Sequence, residues 1–280
     1  MRKHLLGVLL VAASFVAGCG QTQQYGGIPR TKSYHNVISL SPSTSELMSQ
    51  FQIPLIGRSK ADNWPAGLKS VPIVGDLKPD YEAIQRLHPD LILLDRDLYS
   101  STEVEKLKAI SEVQEIGSYT VDDYIKEVYE LGNKLGNEDV ISEYVDKVDR
   151  QRQTALGDKF KDPITAALII PDSTGHEMIA GTKTFQADLI KIMGATPLGP
   201  DSKLFEPLNP ESLMTMNPDF IIVAGEIKDF TADARFANLK AVKEKKLFGL
   251  PQDIILRRGA RVDQAIYQGH KALSLLIRGD

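Results

Sequence analysis

Cysteine is almost missing from this chain: Cys19 is the only one in 280 residues. No intrachain disulfide can form, so the fold has to rest on a packed core. A thiol nucleophile beyond the N-terminal region is excluded by the same count. Positive charge is also short, with 33 Lys and Arg against 37 Asp and Glu. A chain without a basic excess does not read as a general nucleic-acid binder. There is no G-x-S-x-G elbow, no H-E-x-x-H pair and no Walker loop, so the common hydrolase and nucleotidase signatures are absent. Beyond residues 5–17 no long uncharged apolar run occurs, and no later segment reads as spanning a bilayer. Four histidines follow that region, His35, His88, His176 and His270, none at paired ligand spacing. A bare transition-metal site is therefore not expected, nor any resident cofactor.

What is present begins with "MRKH" and the apolar run "LLGVLLVAASFVA". The run is too short for a membrane span but suits a signal-peptide core. It ends in "VAGC", which resembles the bacterial lipobox, whose cysteine is lipidated and becomes the new N-terminus. A plain secretory signal ending near a cysteine is the alternative, but a lone Cys needs an explanation. Residues 1–18 are thus read as a signal peptide, Cys19 as the lipid attachment point, and 19–36 as a polar tether. Loss of Arg2 and Lys3 moves the formal net charge from −4 to −6. Several acyl chains on Cys19 would anchor the protein stably outside the cytoplasm, where one would be marginal.

From Val37 onward, short apolar runs alternate with helical stretches. "VISL" (37–40), "IPLIGRS" (53–59), "VPIVGD" (71–76), "DLILLD" (90–95) and "VQEIGS" (113–118) read as strands. Unalternating apolar strands separated by helices predict a parallel sheet covered on both faces. Ser43 and Glu46 fit a capping box at the start of a first helix. Residues 121–136 and 138–160 are helical, the second with Val140, Ile141, Tyr144, Val145 and Val148 on one face. The alternation then restarts: "TAALIIP" (165–171), a helix at 184–194 closed by Gly194, "DFIIVAG" (219–225), a helix at 236–247, "DIILRR" (253–258) as a strand, and a last helix at 262–277. The predicted fold is two parallel-sheet α/β lobes, 37–137 and 161–280, with one long helix at 138–160 between them; that this helix is rigid and that a ligand cleft lies between the lobes is what the resemblance described below implies.

One phrase occurs twice. "EAIQRLHPDLILL" (82–94) and "ESLMTMNPDFIIV" (211–223) have the same layout 129 positions apart. Asp80 and Asn209 are placed to cap a short helix, with Glu82 and Glu211 at its second position. Pro89 and Pro218 then stop the helix before a central strand.

Across nearly all of the chain after residue 36, these segments are similar to the substrate-binding proteins of ABC importers for cobalamin and ferric siderophores. "VISLSPSTSEL", "VGDLKPDYEAIQRLHPDLILLD", "GTKTFQADLIKIMGA", "LNPESLMTMNPDFIIV" and "RRGARVDQAI" carry the resemblance by their order and spacing. It implies a non-enzymatic, monomeric receptor that binds a small metal chelate between its lobes. It also implies that Glu82 and Glu211, one on each lobe, dock onto arginines of the permease. Two spaced carboxylates fix orientation as well as attraction; either one alone would merely complement a helix N-terminus.

Ligands of parallel α/β sheets lie beyond the carboxyl ends of the strands. The loops there offer Arg58, Lys60 and Trp64, then Arg96 and Tyr99, in the first lobe. In the second they offer His176, Phe185, Lys203 with Phe205, and Arg257 with Arg261. Arginine forks grip oxyanions and rings cover apolar faces. The bland alternatives are a surface loop for His176, loop packing for Trp64, solvated charge for Arg58 and Lys60, and bracing of the last helix for Arg257 and Arg261. Cobalamin would favour the aromatic walls, a ferric catecholate or hydroxamate the basic set, and heme lies between; both residue types are present. Two other function classes stay open: a ligand sensor of the same fold, and an anchored extracellular enzyme.

Overall fold

The structure is a computed structural model that describes residues 33–279 other than 77 and 173. Cys19, the signal segment and most of the tether lie outside the described residues. The first lobe is a five-stranded sheet in the order β3-β2-β1-β4-β5, made of β1 (Val37–Ser39), β2 (Leu55–Ser59), β3 (Ile73–Gly75), β4 (Leu91–Asp95) and β5 (Val113–Ile116). All its pairings are parallel. Helices α1 (Pro42–Gln50), α2 (Tyr81–Arg86) and α3 (Ser101–Lys108) connect the strands. The chain leaves this lobe through α4 (Val121–Leu135) and α5 (Glu138–Gly157).

The second sheet contains β6 (Thr165–Ile170), β7 (Met178–Ala180), β8 (Thr196–Pro197), β9 (Phe205–Pro207), β10 (Phe220–Ala224) and β11 (Leu247–Leu250). Its order is β11-β10-β6-β7-β9, with β8 beside β6. The centre is parallel, as the apolar runs predicted, while β7 runs antiparallel to both β6 and β9. Around it lie α6 (Phe185–Ile192), α7 (Pro210–Met216), α8 (Ile227–Thr231), α9 (Lys240–Lys243), α10 (Gln252–Ile255) and α11 (Val262–Arg278). Both central strands, β4 and β10, are buried along their whole length, which is why neither alternates.

Four expectations need correction. Ser41, not Ser43, caps α1: its hydroxyl accepts from the Thr44 amide at 3.3 Å, and Pro42 takes the first helical position. Glu46 is then a fully buried helix residue rather than part of a capping box. The helix expected at 236–247 is broken into a short turn at Ala234–Phe236 and the brief α9. The strand sits at Leu247–Leu250, and "DIILRR" opens instead as the single-turn helix α10 behind Pro251. Short apolar runs do not distinguish strand from helix by periodicity alone. The connecting helix also ends at Gly157, short of residue 160.

One apolar core runs through both lobes. It joins Leu91 and Leu93 of β4 to Val128 and Leu131 of α4, Ile141, Val145 and Val148 of α5, Leu168 of β6, Ile222 of β10 and Leu273 of α11. Each such aliphatic, fully buried, stabilises by about 1.5–3 kcal/mol. The α4–α5 packing is close because Gly132 has no side chain; a Cβ there would meet Ile141 at 2.3 Å.

The duplicated phrase is duplicated in structure. Asp80 accepts from the Ala83 amide at 3.0 Å, and Asn209 from the Ser212 amide at 3.0 Å. The residue before each proline, His88 and Asn217, adopts a left-handed conformation (φ 46° and 43°), one residue past the C-cap Leu87 in α2 and at the C-cap itself in α7. Each Pro-Asp carboxylate then ties its central strand to the lobe's first strand. Asp90 accepts from the amides of His35 (2.7 Å) and Asn36 (3.1 Å), just before β1. Asp219 accepts from the amide (3.0 Å) and hydroxyl (2.8 Å) of Thr165, which opens β6. Partial burial works against the Asp219 carboxylate, but hydrogen bonds from Lys240 and Thr165 outweigh it and hold its pKa below the usual range. Its contribution is therefore present above the ordinary Asp pKa and lost as pH falls through the lowered folded value. Asp90→Ala and Asp219→Ala should each lower the unfolding free energy by about 1–3 kcal/mol in urea denaturation at neutral pH. If neither variant shifts the transition midpoint, these carboxylates are not the staples described.

Candidate functional site

The strand ends of the two lobes meet at the segment 257–261, "RRGAR", between α10 and α11. This segment belongs to the second lobe, and its three arginines all reach carboxylates of the first. Arg257 Nη1 donates to Glu46 Oε1 at 2.9 Å and to Asn63 Oδ1 at 2.7 Å. Arg261 reaches the same Glu46 through Nη2 (2.6 Å) and Nε (3.2 Å), and Asp253 through Nη1 (2.7 Å). Arg258 binds Asp95 at the end of β4 through Nη2 and, at 3.3 Å, Nε. It also reaches Asp97 at 2.7 Å and the Ser118 carbonyl at 3.1 Å.

The backbone between these arginines is held as tightly. The phenol oxygens of Tyr124 on α4 and Tyr144 on α5 lie 2.8 Å apart, both within reach of the Gly259 carbonyl (2.7 and 3.0 Å). Burial pushes both phenols well above their ordinary pKa, so they stay neutral donors. Gly259 is required here because a Cβ would stand 2.5 Å from Glu46 Oε2. Burial raises the Asp95 carboxyl, opposed by Arg258. Two guanidinium nitrogens on one carboxylate identify the contact as an ion pair. Buried pairs add little net stability after desolvation, but removing one partner strands the other. The cluster acts as a clamp that sets how the lobes face each other.

Beside the clamp, both lobes wall a cavity of about 380 Å³. Asp95, Asp97 and Leu98 face it from the first lobe, and Phe185, Lys203 and Phe205 are among the residues facing it from the second. A larger hollow of about 1060 Å³, near the carboxyl ends of β6 and β10, is walled by the second lobe alone. There Arg235 is bound by Glu177 (2.6 Å) and by Asp233.

The expected site residues divide into groups. Phe185 and Phe205 line the interlobe cavity. Arg257 and Arg261 are in the clamp, and Arg261 lies over the Trp64 ring, 4.6 Å from its centroid. Arg58 is buried and donates to the carbonyls of Val71 (3.1 Å) and Ser59 (2.8 Å), bracing its own loop. Lys60 is exposed and paired with Asp76 at 2.8 Å. Arg96 is half-exposed near Glu115 (3.7 Å). Tyr99 donates to the Leu40 carbonyl at 2.5 Å, and burial raises its phenol to about 12. His176 is exposed beside Thr174 (2.9 Å). Glu82 and Glu211 are exposed on helices of their own lobes, Glu82 being 3.8 Å from Arg86. Among the described residues no group of three or more His, Cys, Asp or Glu is placed to hold a metal ion, and no helix is long and apolar enough to cross a membrane.

Sequence reasoning missed Glu46, Asp95, Asp97, Arg258 and the two tyrosines. Arg258 stood inside a quoted motif. Glu46 was hidden by its resemblance to a cap residue. It also missed a buried hydroxyl chain under the clamp: Ser39 meets Thr44 at 2.6 Å, and Ser45 donates to Ser39 (2.7 Å) or Asp62 (2.5 Å). The other Asp62 oxygen is buried and has no hydrogen-bond partner among the described residues. Burial, only partly opposed by Ser45, Arg58 and Arg257, pushes the Asp62 carboxyl up to about 6.

Two α/β lobes, a bridging helix and a cavity between strand ends define a two-lobed ligand receptor. The chain belongs to the periplasmic binding protein family, whose model matches residues 37–254. That family consists of binding proteins rather than enzymes, so the enzyme alternative falls away. Among curated proteins the chain is 23% identical to an uncharacterized ABC transporter substrate-binding lipoprotein, YvrC, of Bacillus subtilis (strain 168), over 95% of each chain. Its fold is similar to that of the vitamin B12-binding protein BtuF of Vibrio cholerae (TM-score 0.76, 18% identical, 88% of this chain and 98% of that one). It is similar too to the heme-binding protein RhuT from Roseiflexus sp. RS-1 in apo form (TM-score 0.73, 18% identical, 87% and 99%).

Glu46→Gln should destabilise by about 3–5 kcal/mol in chemical denaturation, because Arg257 and Arg261 lose their shared anion. Glu82→Gln, fully exposed, should change stability by less than about 0.5 kcal/mol. Equal effects would contradict the clamp. Asp62 has a raised folded pKa, so its protonated form favours folding below the ordinary Asp range, and that contribution is lost as pH rises through about 6. Stability of the wild type should therefore fall between pH 5 and pH 8 by about 1–3 kcal/mol more than that of Asp62→Asn. Parallel pH profiles would show that Asp62 does not titrate in this range.

Proposed function

We propose that this protein is an extracytoplasmic substrate-binding lipoprotein that takes up a metal chelate (cobalamin, a ferric siderophore or heme) and delivers it to an ABC-importer permease. The observation that carries this is the cavity of about 380 Å³ walled by both lobes, a size within the range of small-molecule sites. In this reading residues 1–18 are removed, Cys19 carries the lipid, and 19–36 tether lobes 37–137 and 161–280, joined by the connecting helix Glu138–Gly157. Of the candidate ligand contacts, Phe185, Phe205 and Lys203 face the cavity. Trp64, Arg257 and Arg261 hold the lobe interface beside it, while Arg58, Lys60, Arg96 and Tyr99 frame the first-lobe loops. Trp64 is the only tryptophan, so its emission reports on the cleft. Adding cobalamin, ferric siderophores or heme should change that emission and raise the melting temperature for at least one of them. No response to any would overturn the ligand class.

Glu82 and Glu211 are the proposed docking points. Each sits at the second position of a short helix capped in the same way. Helix α2 follows β3, and α7 follows β9, which runs in the same sense as β6. Both helices thus start on the side where the cleft opens, so both carboxylates can reach one partner surface. The double variant Glu82→Lys/Glu211→Lys should abolish uptake in membranes while leaving the chelate-induced melting shift intact. Unchanged uptake would exclude docking through these residues, and capture of a protein other than a permease would favour the sensor reading.

A further inference from the structure

The two ends of the second lobe carry opposite charge. Strands β6, β8, β10 and β11 are parallel, so their amino ends share one face, on the side away from the cleft. The segments that lead into these strands are rich in lysine. Lys159 and Lys161 precede β6, Lys191 lies in the last turn of α6 ahead of β8, and Lys243 and Lys245 precede β11. Helix α11 runs down to the same face and brings Lys271. There His270 meets the Met193 carbonyl (2.9 Å) and Asp158 (3.1 Å), and its ring stacks on Phe160. All these lysines are exposed, and none pairs with a carboxylate among the described residues. Most acids of this face are already bound: Asp219 by Lys240 (3.0 Å), Glu244 by Lys246 (2.7 Å), and Asp158 beside His270. Neighbouring strands lie about 4.8 Å apart, a step shorter than the screening length of about 8 Å at physiological salt, so adjacent lysines add to one field. Cations at helix carboxyl ends complement the helix dipole, which accounts for Lys191 and Lys243. It does not account for Lys159, Lys161 and Lys245, which lie outside the helices.

Apolar side chains stand open beside this charge. On α11, Tyr267, Lys271 and Leu275 are four residues apart and form one outward stripe, while Ile266, Gly269 and Leu273 are buried on the other side. Tyr267, Leu275 and Ile277 are 52%, 44% and 40% exposed, and the Lys271 ammonium lies 5.6 Å from the Tyr267 ring centroid. Lysine mixed with exposed aromatic and aliphatic residues along a helix suits a lipid surface. The segment 19–36 joins the molecule on this side as well. It enters β1 at its amino end, where the Tyr34 ring lies 5.4 Å from the Lys134 ammonium near the end of α4. The same side of the first lobe carries Asp90, Glu112, Glu138 and Asp139 and adds no such field.

We propose that the amino-end face of the second lobe is a contact surface for anionic lipid headgroups, on which the anchored receptor rests with its cleft turned away from the bilayer. This rests on the reading of Cys19 as lipidated. An acyl anchor keeps the protein near the membrane without orienting it; the lysines supply the orientation. Charge selects the occupant, since this patch is positive in a chain of formal net charge −4. The carboxyl-end face of the same lobe presents Asp172, Glu177, Asp229 and Asp233 against Lys228 and Arg235, and an anionic surface repels it. Each lysine at such a surface strengthens the contact by about fivefold, so the face holds and still releases. Glu82 and Glu211 start on the cleft side, and docking through them requires that release. Residues 19–36 reach at most about 60 Å when fully extended, so the receptor can turn without losing its anchor.

The test uses the lipid-anchored protein extracted from cells and reconstituted into vesicles of phosphatidylcholine, with or without phosphatidylglycerol. The anchor occupies Cys19, so one added cysteine carries the fluorophore: Thr196→Cys on the lysine face, or Thr102→Cys at the start of α3 on the cleft side. Energy transfer to a headgroup-labelled lipid reports how near each side lies to the bilayer. Phosphatidylglycerol should raise transfer from position 196 and not from position 102, and high salt should reverse the rise. Lys159→Gln/Lys161→Gln/Lys245→Gln should lower the ratio of resting to free receptor by about a hundredfold, with the melting temperature unchanged. Equal transfer from the two positions, higher transfer from position 102, or indifference to phosphatidylglycerol or to the triple variant overturns the inference and leaves the importer reading standing. Loss of inorganic polyphosphate binding in the triple variant, with vesicle transfer unchanged, assigns the lysines to a soluble polyanion and overturns it too. Protein that carries no lipid and does not enter vesicles overturns the lipoprotein reading itself.

Discussion

The buried carboxylate of Glu46 is the constraint on which the rest of the site depends. It is fully enclosed in α1, yet it is neutralised from the other lobe by Arg257 and Arg261. A charge in that position is tolerated only while both arginines stay in place. The arginines are held in turn by the backbone at Gly259, where the phenols of Tyr124 and Tyr144 meet one carbonyl. Any rotation of one lobe against the other would pull a buried acid away from its counter-ions. Arg258 with Asp95 repeats the constraint a few residues away. The clamp thus fixes how the two sheets face each other across the cleft, and Arg258, Asp95 and Asp97 of the clamp also line the interlobe cavity.

The duplicated phrase plays a different part. Capping residue, left-handed stop, proline and strand-tying aspartate recur at positions 129 apart and produce the same local structure twice. The Pro-Asp half is scaffold: Asp90 and Asp219 each fasten a central strand to the first strand of its lobe. Among the described residues the Glu half makes no comparable internal contact: Glu82 lies 3.8 Å from Arg86 on its own helix. The scaffold explains why the phrase is needed once per lobe. The exposed acids are what the scaffold presents.

Much of the fold was legible in the sequence because period and punctuation agreed. The unalternating runs of β4 and β10, the one-sided apolar stripe of α5 and the caps at Asp80 and Asn209 each point to one structure. The stretch 236–258 was not legible, because only Lys240–Lys243 of the expected helix is helical, and of its two short apolar runs the one at Leu247–Leu250 is the strand while "DIILRR" opens as a helical turn. The site was less readable than the fold. Phe185 and Phe205 were found as ring-bearing loop residues at strand ends. Arg58 looked equally available, and only its contacts with Val71 and Ser59 show that its donors are used inside the lobe. Glu46 and Arg258 are paired across more than 150 positions with partners no local pattern connects to them, so their roles exist only in the folded chain.

The clamp presents a preformed cleft. The chain offers a direct route to it, because no cysteine follows Cys19. Spin labels at Thr102→Cys and Lys243→Cys, both exposed and on different lobes, report the interlobe distance by double electron–electron resonance. The account predicts one narrow distance distribution that stays in place when a bound chelate saturates the protein, and a broadened one in the Glu46→Gln background. A broad or two-peaked distribution in the otherwise unaltered chain, collapsing to one peak on ligand addition, would contradict it.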